Sequence, residues 1–219
     1  WLVNNQEQKQ VCDLKIQGVK GTASIWDCET GSIRQVTSSD TKDGANISLT
    51  FKPLEAFWLV FDPASDAGTV AEDGRFIKLI DVTGTWKVTY NPDIQPVMEF
   101  SSVPAASFAS GVEKPLVDWK AWGLEKFSGL LEYTRSVNIE SIDKQMIIDL
   151  GKVCHVAEVW INGQPAGARM WGPYVFDIST LVKPGVNEIR IRIANLINNS
   201  YGDLQESGLL GPVQILKWE

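Results

Sequence analysis

Apolar and polar residues alternate with a period of two through much of this chain, as they do in half-buried β-strands. The pattern is clearest between Phe127 and Asn195, where turn residues separate four runs rich in β-branched and aromatic residues. These runs begin at Phe127, Val156, Tyr174 and Val186. A 3.6-residue period is not evident, so we expect a few helical turns at most, for example around residues 179–182.

Two turns in this half are specified by their residues. Asn162-Gly163 follows Val159-Trp160-Ile161 and favours a type I′ hairpin turn, because both positions accept a positive φ. Pro184-Gly185 predicts a second turn, directly before the strand that starts at Val186.

The first 62 residues carry about five further strand candidates. They are Val11–Gln17, Ala23–Asp27, Ser32–Thr37, Ala45–Phe51 and Ala56–Phe61. The segment Asp27-Cys-Glu-Thr-Gly31 between two of them predicts a tight hairpin, and Asp43-Gly44 marks another turn. Clean alternation in the first and fourth runs is typical of antiparallel strands with one buried face. We therefore expect a small β-sandwich, or the last part of one.

A composition change separates this region from the rest of the chain. Residues 62–75 contain one large apolar residue, Val70, and are the best candidate for a linker. Strands are predicted over Phe76–Val82 and Thr85–Tyr90, joined at Thr83-Gly84, and a long irregular segment follows up to Leu124.

The whole chain is thus predicted to be all-β, with two antiparallel β-sandwich domains of which the second is a jelly roll of about eight strands. We place the first domain at residues 1–64, the linker at 65–75 and the second domain at 76–219.

Charge and composition limit the partners. The 219 residues carry a formal net charge of −7 with scattered basic residues, which disfavours nucleic acid because such binding needs a positive surface. A transmembrane helix is excluded because apolar runs are too short, and a targeting segment is not visible. Nine tryptophans suit neutral partners, although large aromatic residues also simply fill β cores.

The cysteines and the one histidine do not form a reactive or metal-binding pattern. Cys12, Cys28 and Cys154 are too few for a disulfide framework or a zinc ribbon, so free, buried thiols are expected, although Cys12 and Cys28 can sit on neighbouring strands of one sheet. His155 follows Cys154 directly, and adjacent strand residues point to opposite faces, which makes a nucleophile–base pair unfavourable. The three cysteines are compatible with both an oxidising and a reducing compartment.

Carboxylates are the remaining chemistry-bearing residues. Glycoside hydrolysis needs two of them flanking the scissile bond. The candidates by residue type are Glu99, Glu132, Asp149, Glu158, Asp177, Asp203 and Glu206. On exposed strand faces such residues are normally solvated, and Asp177 is placed to cap the turn that follows it. Asp203 and Glu206, which flank one loop, are the only pair worth testing.

Three blocks of this sequence together resemble a known family. They are Phe127-Ser-Gly-x-x-x-Tyr, Val156-Ala-Glu-Val-Trp-Ile-Asn-Gly and Phe176-Asp-Ile-Ser-x-Leu-Val-Lys-Pro-Gly-x-Asn. The pattern resembles the sugar-binding, galactose-binding-like jelly roll of family 2 glycoside hydrolases. With the tail Gly202-Asp203 to Val213, it looks closer still to the C-terminal β-sandwich of family 106 α-L-rhamnosidase-like proteins. The resemblance covers roughly residues 80–215.

The resemblance implies a non-catalytic region of a larger glycoside hydrolase that is secreted or periplasmic, with the catalytic carboxylates on a separate barrel. No catalytic residue is therefore assigned. No cofactor is expected, and a structural calcium ion is left unassigned. The expected partner is a carbohydrate or the parent's catalytic barrel.

One loop combines the groups that a sugar site needs. It holds a guanidinium, two aromatic rings and a Gly-Pro turn, and Asp203 and Glu206 can line the same end of the domain. The predicted carbohydrate-binding residues are Arg169, Trp171, Tyr174, Asp203 and Glu206. The alternatives are that Trp171 and Tyr174 only anchor the loop, and that the chain is a structural interaction module without a ligand.

Overall fold

A computed structural model describes residues 1–6, 8–28, 31–63, 76–91, 104 and 107–219 of the chain. The predicted all-β class is confirmed, since antiparallel sheets dominate both parts of the molecule. The chain divides into two compact units, residues 1–74 and 75–219. The predicted linker at 65–75 lies outside the described residues.

The first unit consists of two sheets. Its strands are β1 (Leu2–Val3), β2 (Gln10–Gln17), β3 (Thr22–Trp26), β4 (Ile33–Gln35), β5 (Ser38–Thr41), β6 (Gly44–Phe51) and β7 (Ala56–Asp62). One sheet has the order β1-β7-β3-β4 and the other β2-β6-β5. Apolar residues of both sheets form one core, in which the Phe51 and Phe57 rings stack with centroids 4.8 Å apart. This unit is therefore a small sandwich.

The five predicted strands of the first unit are all present, and the structure adds β1 and β5. The sequence of β5, Ser-Ser-Asp-Thr, has no apolar alternation and is strand only because it pairs with β6. Two expectations about cysteine are wrong. Cys12 lies in β2 and Cys28 follows β3, so they belong to different sheets, and Cys28 is exposed while only Cys154 is buried.

The second unit contains more and shorter strands than the eight predicted. In its described part they are β8 (Phe76–Asp81), β9 (Thr85–Thr89), β10 (Val112–Pro115), β11 (Leu130–Ile139), β12 (Met146–Asp149), β13 (Lys152–Cys154), β14 (Val156–Ile161), β15 (Gln164–Arg169), β16 (Val175–Asp177), β17 (Gly185–Ala194), β18 (Gly208–Gly211) and β19 (Gln214–Trp218). A single helical turn, α1, spans Ser107–Ser110, and 3-10 turns span Trp119–Trp122 and Ile197–Tyr201.

These strands form a sandwich of a six-stranded and a four-stranded sheet. The orders are β10-β9-β11-β17-β14-β15 and β16-β12-β19-β8, and β13 pairs with β18 beside them. The turn at Thr83-Gly84 carries the chain from one sheet to the other, because β8 and β9 belong to different sheets. Side chains from both sheets fill one continuous core.

Strand β17 is the centre of the six-stranded sheet. It pairs with β11 over ten residues and with β14 on its other side. Ile189, Ile191 and Ile193 face the core, while Arg190 and Arg192 alternate with them on the outer face. Asn187 is fully buried and uses its side-chain amide to bind the Lys183 and Gly185 carbonyls at 2.7 and 2.9 Å. The turn before β17 is thereby fixed to the strand.

Local turn chemistry matches the sequence at two places. Asn162 and Gly163 have φ values of 52° and 79°, and they connect β14 to β15 as the Asn-Gly dipeptide predicts. The Asp177 carboxylate accepts hydrogen bonds from the Ser179 amide at 2.8 Å and its hydroxyl at 2.6 Å. Asp177 therefore caps the turn that follows β16, as expected.

Removal of the Tyr133 hydroxyl should destabilise the second unit. This buried hydroxyl accepts from Trp119 Nε1 at 2.6 Å and from the Leu209 amide at 3.5 Å, so Tyr133→Phe leaves a buried indole N–H without its acceptor. We expect the free energy of unfolding in urea to fall by about 1–3 kcal/mol. Tyr201→Phe, at a 68% exposed side chain, is the control and should change it by less than about 0.5 kcal/mol. Equal effects of the two substitutions would contradict this account.

Candidate functional site

Several loops leave the same end of the six-stranded sheet. Leu130 begins β11, Val156 begins β14, and both lie opposite Ala194 at the end of β17. Arg169 ends β15 one position further along, opposite Ala157. The segments 152–155, 169–174 and 195–207 therefore meet at one end of the sandwich, which we call the loop end.

Buried amides and hydroxyls hold the longest of these segments in place. Asn195 donates to the Phe127 carbonyl at 2.7 Å and to Ser207 Oγ at 3.0 Å. Asn199, which is 1% exposed, donates to the Gln205 carbonyl at 2.9 Å and also to Ser207 Oγ at 3.0 Å. Buried polar groups that are mutually satisfied order a loop strongly, because breaking one bond leaves another group unpaired.

This ordered loop end exposes large apolar side chains. Six of them are between 41% and 68% exposed. They are Met170, Trp171, Leu196, Ile197, Tyr201 and Leu204. Isolated exposed apolar residues are ordinary, but a group of them at one end of a domain is typical of a binding or docking surface.

The predicted site residues of the 169–174 loop have different environments. Trp171 is exposed, whereas Tyr174 is buried in the core and donates its hydroxyl hydrogen to the His155 carbonyl. Arg169 lies over the Phe176 ring, with Cζ 5.4 Å from the centroid. Tyr174 therefore anchors the loop to the sandwich, and Trp171 is the exposed aromatic ring of this loop.

Asp203 and Glu206 both lie on the 195–207 loop but have separate partners. The Asp203 carboxylate accepts from Asn198 Nδ2 at 3.1 Å and Gln205 Nε2 at 3.0 Å, within its own loop. Glu206 instead pairs with Lys152 at the neighbouring segment, and Cys154 Sγ is 4.0 Å from the same carboxylate oxygen. Glu206 and Tyr174 both contact the 152–155 segment, so the structure brings these two residues to one place.

Sequence reasoning missed most of the exposed apolar residues. Leu196 and Ile197 come just after Asn195, which follows β17, and they look like a continuation of that strand in the alternation pattern. Their exposure depends on the chain turning away at Asn195, whose side-chain oxygen accepts from the Gly129 amide at 2.9 Å. The local signal was the polar run Asn198-Asn199-Ser200, which is unusual for a strand interior.

Other carboxylates considered from the sequence have structural partners. Glu132 and Glu158 flank Arg192 on the outer face of the six-stranded sheet, at 2.9 and 4.0 Å. Trp160 lies on the same face beneath Arg190 and Arg192, with Cζ-to-centroid distances of 4.4 and 4.7 Å. The charged side chains of this face thus pair across neighbouring strands and neutralise one another.

Two carboxylate candidates and the histidine remain. Asp149 accepts from the Gly151 amide at 2.9 Å, and Glu99 lies outside the described residues. His155 lies between β13 and β14, and burial lowers its pKa, which favours the neutral imidazole. Among the residues that the structure describes, no three His, Cys, Asp or Glu side chains cluster as metal ligands would.

The chain has recognisable relatives among carbohydrate-active proteins. It is 28% identical over 124 residues to a protein of Formosa agariphila named "Putative beta-glucuronidase", a match that covers 55% of this chain and 10% of that protein. A second protein of that name and organism is 31% identical over 114 residues, covering 51% and 11%. No family model matches the chain.

A solved structure matches almost the whole chain. The rhamnosidase from Novosphingobium sp. PP1Y superimposes with a TM-score of 0.75 and 25% identity, over 99% of this chain and 22% of that one. This chain is a β-sandwich related to glycoside hydrolases. It spans about a fifth of the rhamnosidase's length and about a tenth of the length of the two curated relatives. In the described part, no helix has the length and apolar character needed to cross a membrane.

Tyr174 should make stability depend on alkaline pH. Burial, followed by the nearby Cys154, raises the pKa of Tyr174 to about 12 from an ordinary value of 10. Between these values the unfolded chain releases a proton that the folded chain keeps, so the free energy of unfolding falls as pH rises from about 10 to 12. In Tyr174→Phe this contribution is absent, and we expect a shallower alkaline decline in urea melts recorded from about pH 9 to 11.5.

The comparison with the wild type isolates the contribution of Tyr174. Burial also raises the pKa of Tyr133, so Tyr133 lowers the free energy of unfolding at alkaline pH in the same direction, but it is present in both proteins. Identical alkaline slopes in the two proteins would show that the Tyr174 hydroxyl is not held in the core as described.

Proposed function

We propose that this chain is a non-catalytic β-sandwich region of a larger, rhamnosidase-like glycoside hydrolase, and that its loop end packs against the rest of that enzyme. The similarity to the rhamnosidase carries this proposal, because nearly all of this chain matches a minor part of a much longer enzyme. The β-glucuronidase-named relatives are also matched over a small share of their length.

A non-catalytic role agrees with the carboxylates of the described residues. Hydrolysis by inversion or retention needs two carboxyl groups facing one substrate bond, one of them protonated. The strand carboxylates Glu132 and Glu158 are instead paired with arginine. Asp203 and Glu206 lie on one loop but have separate partners. These carboxylates stabilise the fold and its loops.

The composition of the loop end favours protein docking over sugar binding. Four of its six exposed apolar residues, Met170, Leu196, Ile197 and Leu204, are not aromatic and offer no ring for a sugar face. Protein interfaces combine such aliphatic surface with Trp, Tyr and Met anchors and a polar rim. Asp203 and Glu206 would supply that rim.

Carbohydrate binding at the same end is the second candidate, supported by the exposed rings of Trp171 and Tyr201. In this alternative, Trp171 stacks on a sugar while Arg169, Asp203 and Glu206 bind its hydroxyls. Tyr174 then only supports the loop, because its ring is buried and its hydroxyl is bonded to the His155 carbonyl.

The first test is to sequence the complete reading frame that contains these 219 codons. It should also encode a glycoside hydrolase catalytic domain. The 219-residue chain and the remainder of that product are then produced separately, and their association is measured by calorimetry. Leu196→Asp should weaken association by about 2 kcal/mol or more, because it places a charge in a desolvated contact. Ile142→Asp is the matched control, since Ile142 is 40% and Leu196 41% exposed.

A reading frame without a catalytic domain would overturn the proposal, as would equal effects of the two aspartate substitutions. Saccharide binding by the isolated chain that is lost in Trp171→Ala, together with unaffected association in Leu196→Asp, would establish the carbohydrate-binding alternative.

A further inference from the structure

A row of aromatic side chains crosses the outer face of the first unit. Trp58 of β7 lies directly opposite Trp26 of β3, and Trp26 lies opposite Ile33 of β4. Trp1 extends the row on the other side, with its ring centroid 5.3 Å from that of Trp58. Four neighbouring positions of one sheet rung are therefore large and apolar. We call them the tryptophan row.

The tryptophan row faces away from the core of the first unit. Its four side chains are between 44% and 61% exposed, while Phe57 and Ile25, the neighbours of Trp58 and Trp26 along their strands, are buried. Alternation along a strand thus turns the tryptophans outward at positions where a solvated sheet normally carries polar residues. Three outward tryptophans on one rung need an explanation beyond core filling.

The rings are supported from below by polar contacts. Trp26 Nε1 donates to Ser24 Oγ at 3.0 Å, and Ser24 Oγ donates to the Val60 carbonyl at 3.4 Å. The Trp58 ring lies against the Trp1 ring, which is tilted 58° to it. Rings held in this way lose little freedom when a ligand stacks on them.

The dimensions of the row suit a narrow ligand. Half-exposed tryptophans contribute on the order of 100 Å² each, so the row offers on the order of 400 Å². A second protein copy in a stable dimer needs about 800 Å² from each partner. Three strand-to-strand spacings give the row a length of roughly 14 Å, which is the reach of a short oligosaccharide stretch rather than of one sugar.

Charge around the row favours a neutral ligand. The next rung on the same face carries Val60, Ser24 and Gln35, and the rung on the other side carries Val3 and Ala56. These positions are uncharged, and the whole chain has a net charge of −7, which repels polyanions at long range. Hydroxyl-rich chains with apolar C–H faces meet both requirements, because they stack on indole rings without bringing charge.

We infer that the tryptophan row is a binding platform for a neutral polysaccharide chain, which lies across strands β1, β7, β3 and β4 with its sugar rings on Trp1, Trp58 and Trp26. This site lies in the first unit and goes beyond the proposed packing of the loop end. It does not depend on that proposal, because it rests on a different surface and on different residues.

Affinity electrophoresis of the full 219-residue chain tests the platform. Native gels contain soluble xylan, mixed-linkage β-glucan or galactomannan, with polygalacturonate as the anionic comparison. We expect at least one neutral polysaccharide to retard the wild type. Trp58→Ala and Trp26→Ala should each weaken this binding about tenfold, the scale expected for loss of one stacked ring, and Trp58→Phe should keep part of it. Val11→Ala, at a 66% exposed apolar residue on the other sheet of the first unit, is the control and should bind like wild type.

Three outcomes would overturn the inference. The first is no retardation by any neutral polysaccharide while the wild type is folded by circular dichroism. The second is loss of binding in Trp171→Ala with binding retained in Trp26→Ala and Trp58→Ala. The third is a wild-type dimer in light scattering that Trp58→Ala converts to a monomer, which would make the row a contact between copies. Binding by the alanine variants is compared with that of the wild type once their melting curves show that they are equally folded.

Discussion

The register of β17 between β11 and β14 is the constraint on which the second unit depends. Side chains alternate with a period of two, so a shift of one residue would turn Ile189, Ile191 and Ile193 to solvent and bury Arg190 and Arg192. Burying two guanidiniums without partners costs far more than the isoleucines gain. The same register places the end of β17 opposite the starts of β11 and β14, and it thereby gathers the loops at one end.

The order of those loops comes from hydrogen bonds rather than from apolar burial. Asn195, Asn199 and Ser207 satisfy one another and the surrounding backbone, so the 195–207 segment is fixed although many of its apolar side chains remain in water. A loop could satisfy its backbone with water at lower cost in ordering. This pre-ordering favours binding of a partner to the exposed side chains, because a rigid surface loses little conformational entropy on binding.

Much of the architecture could be predicted because it follows from local sequence patterns, namely apolar alternation and turn residues. Alternation gave the strands of the first unit, and Asn162-Gly163 gave a hairpin turn with both φ values positive. The short strands could not be predicted in the same way. β5 is polar and exists through pairing with β6, and the second unit contains strands of three residues, β13 and β16, that are too brief to show a period.

The site was harder to predict than the fold because exposure is a tertiary property. Composition marked the chain as rich in tryptophan, but Trp119 is fully buried while Trp26 and Trp58 stand in water. What separates Trp26 from Trp119 is which side of a sheet or loop each of them faces. Tyr174 shows the same limit, since its loop position suggested a ligand and its burial makes it an anchor.

The two exposed surfaces differ in chemistry in a way that separates their partners. The loop end mixes aliphatic side chains with rings and bears the carboxylates Asp203 and Glu206, which is the mixture found where proteins meet. The tryptophan row is mostly indole and one rung wide, and the described rung positions beside it, such as Val60, Ser24 and Ala56, are uncharged. An aliphatic side chain gains free energy from any apolar partner, whereas a flat ring is favoured by flat ligands. Docking at one surface and polysaccharide at the other therefore fits both compositions better than the reverse assignment.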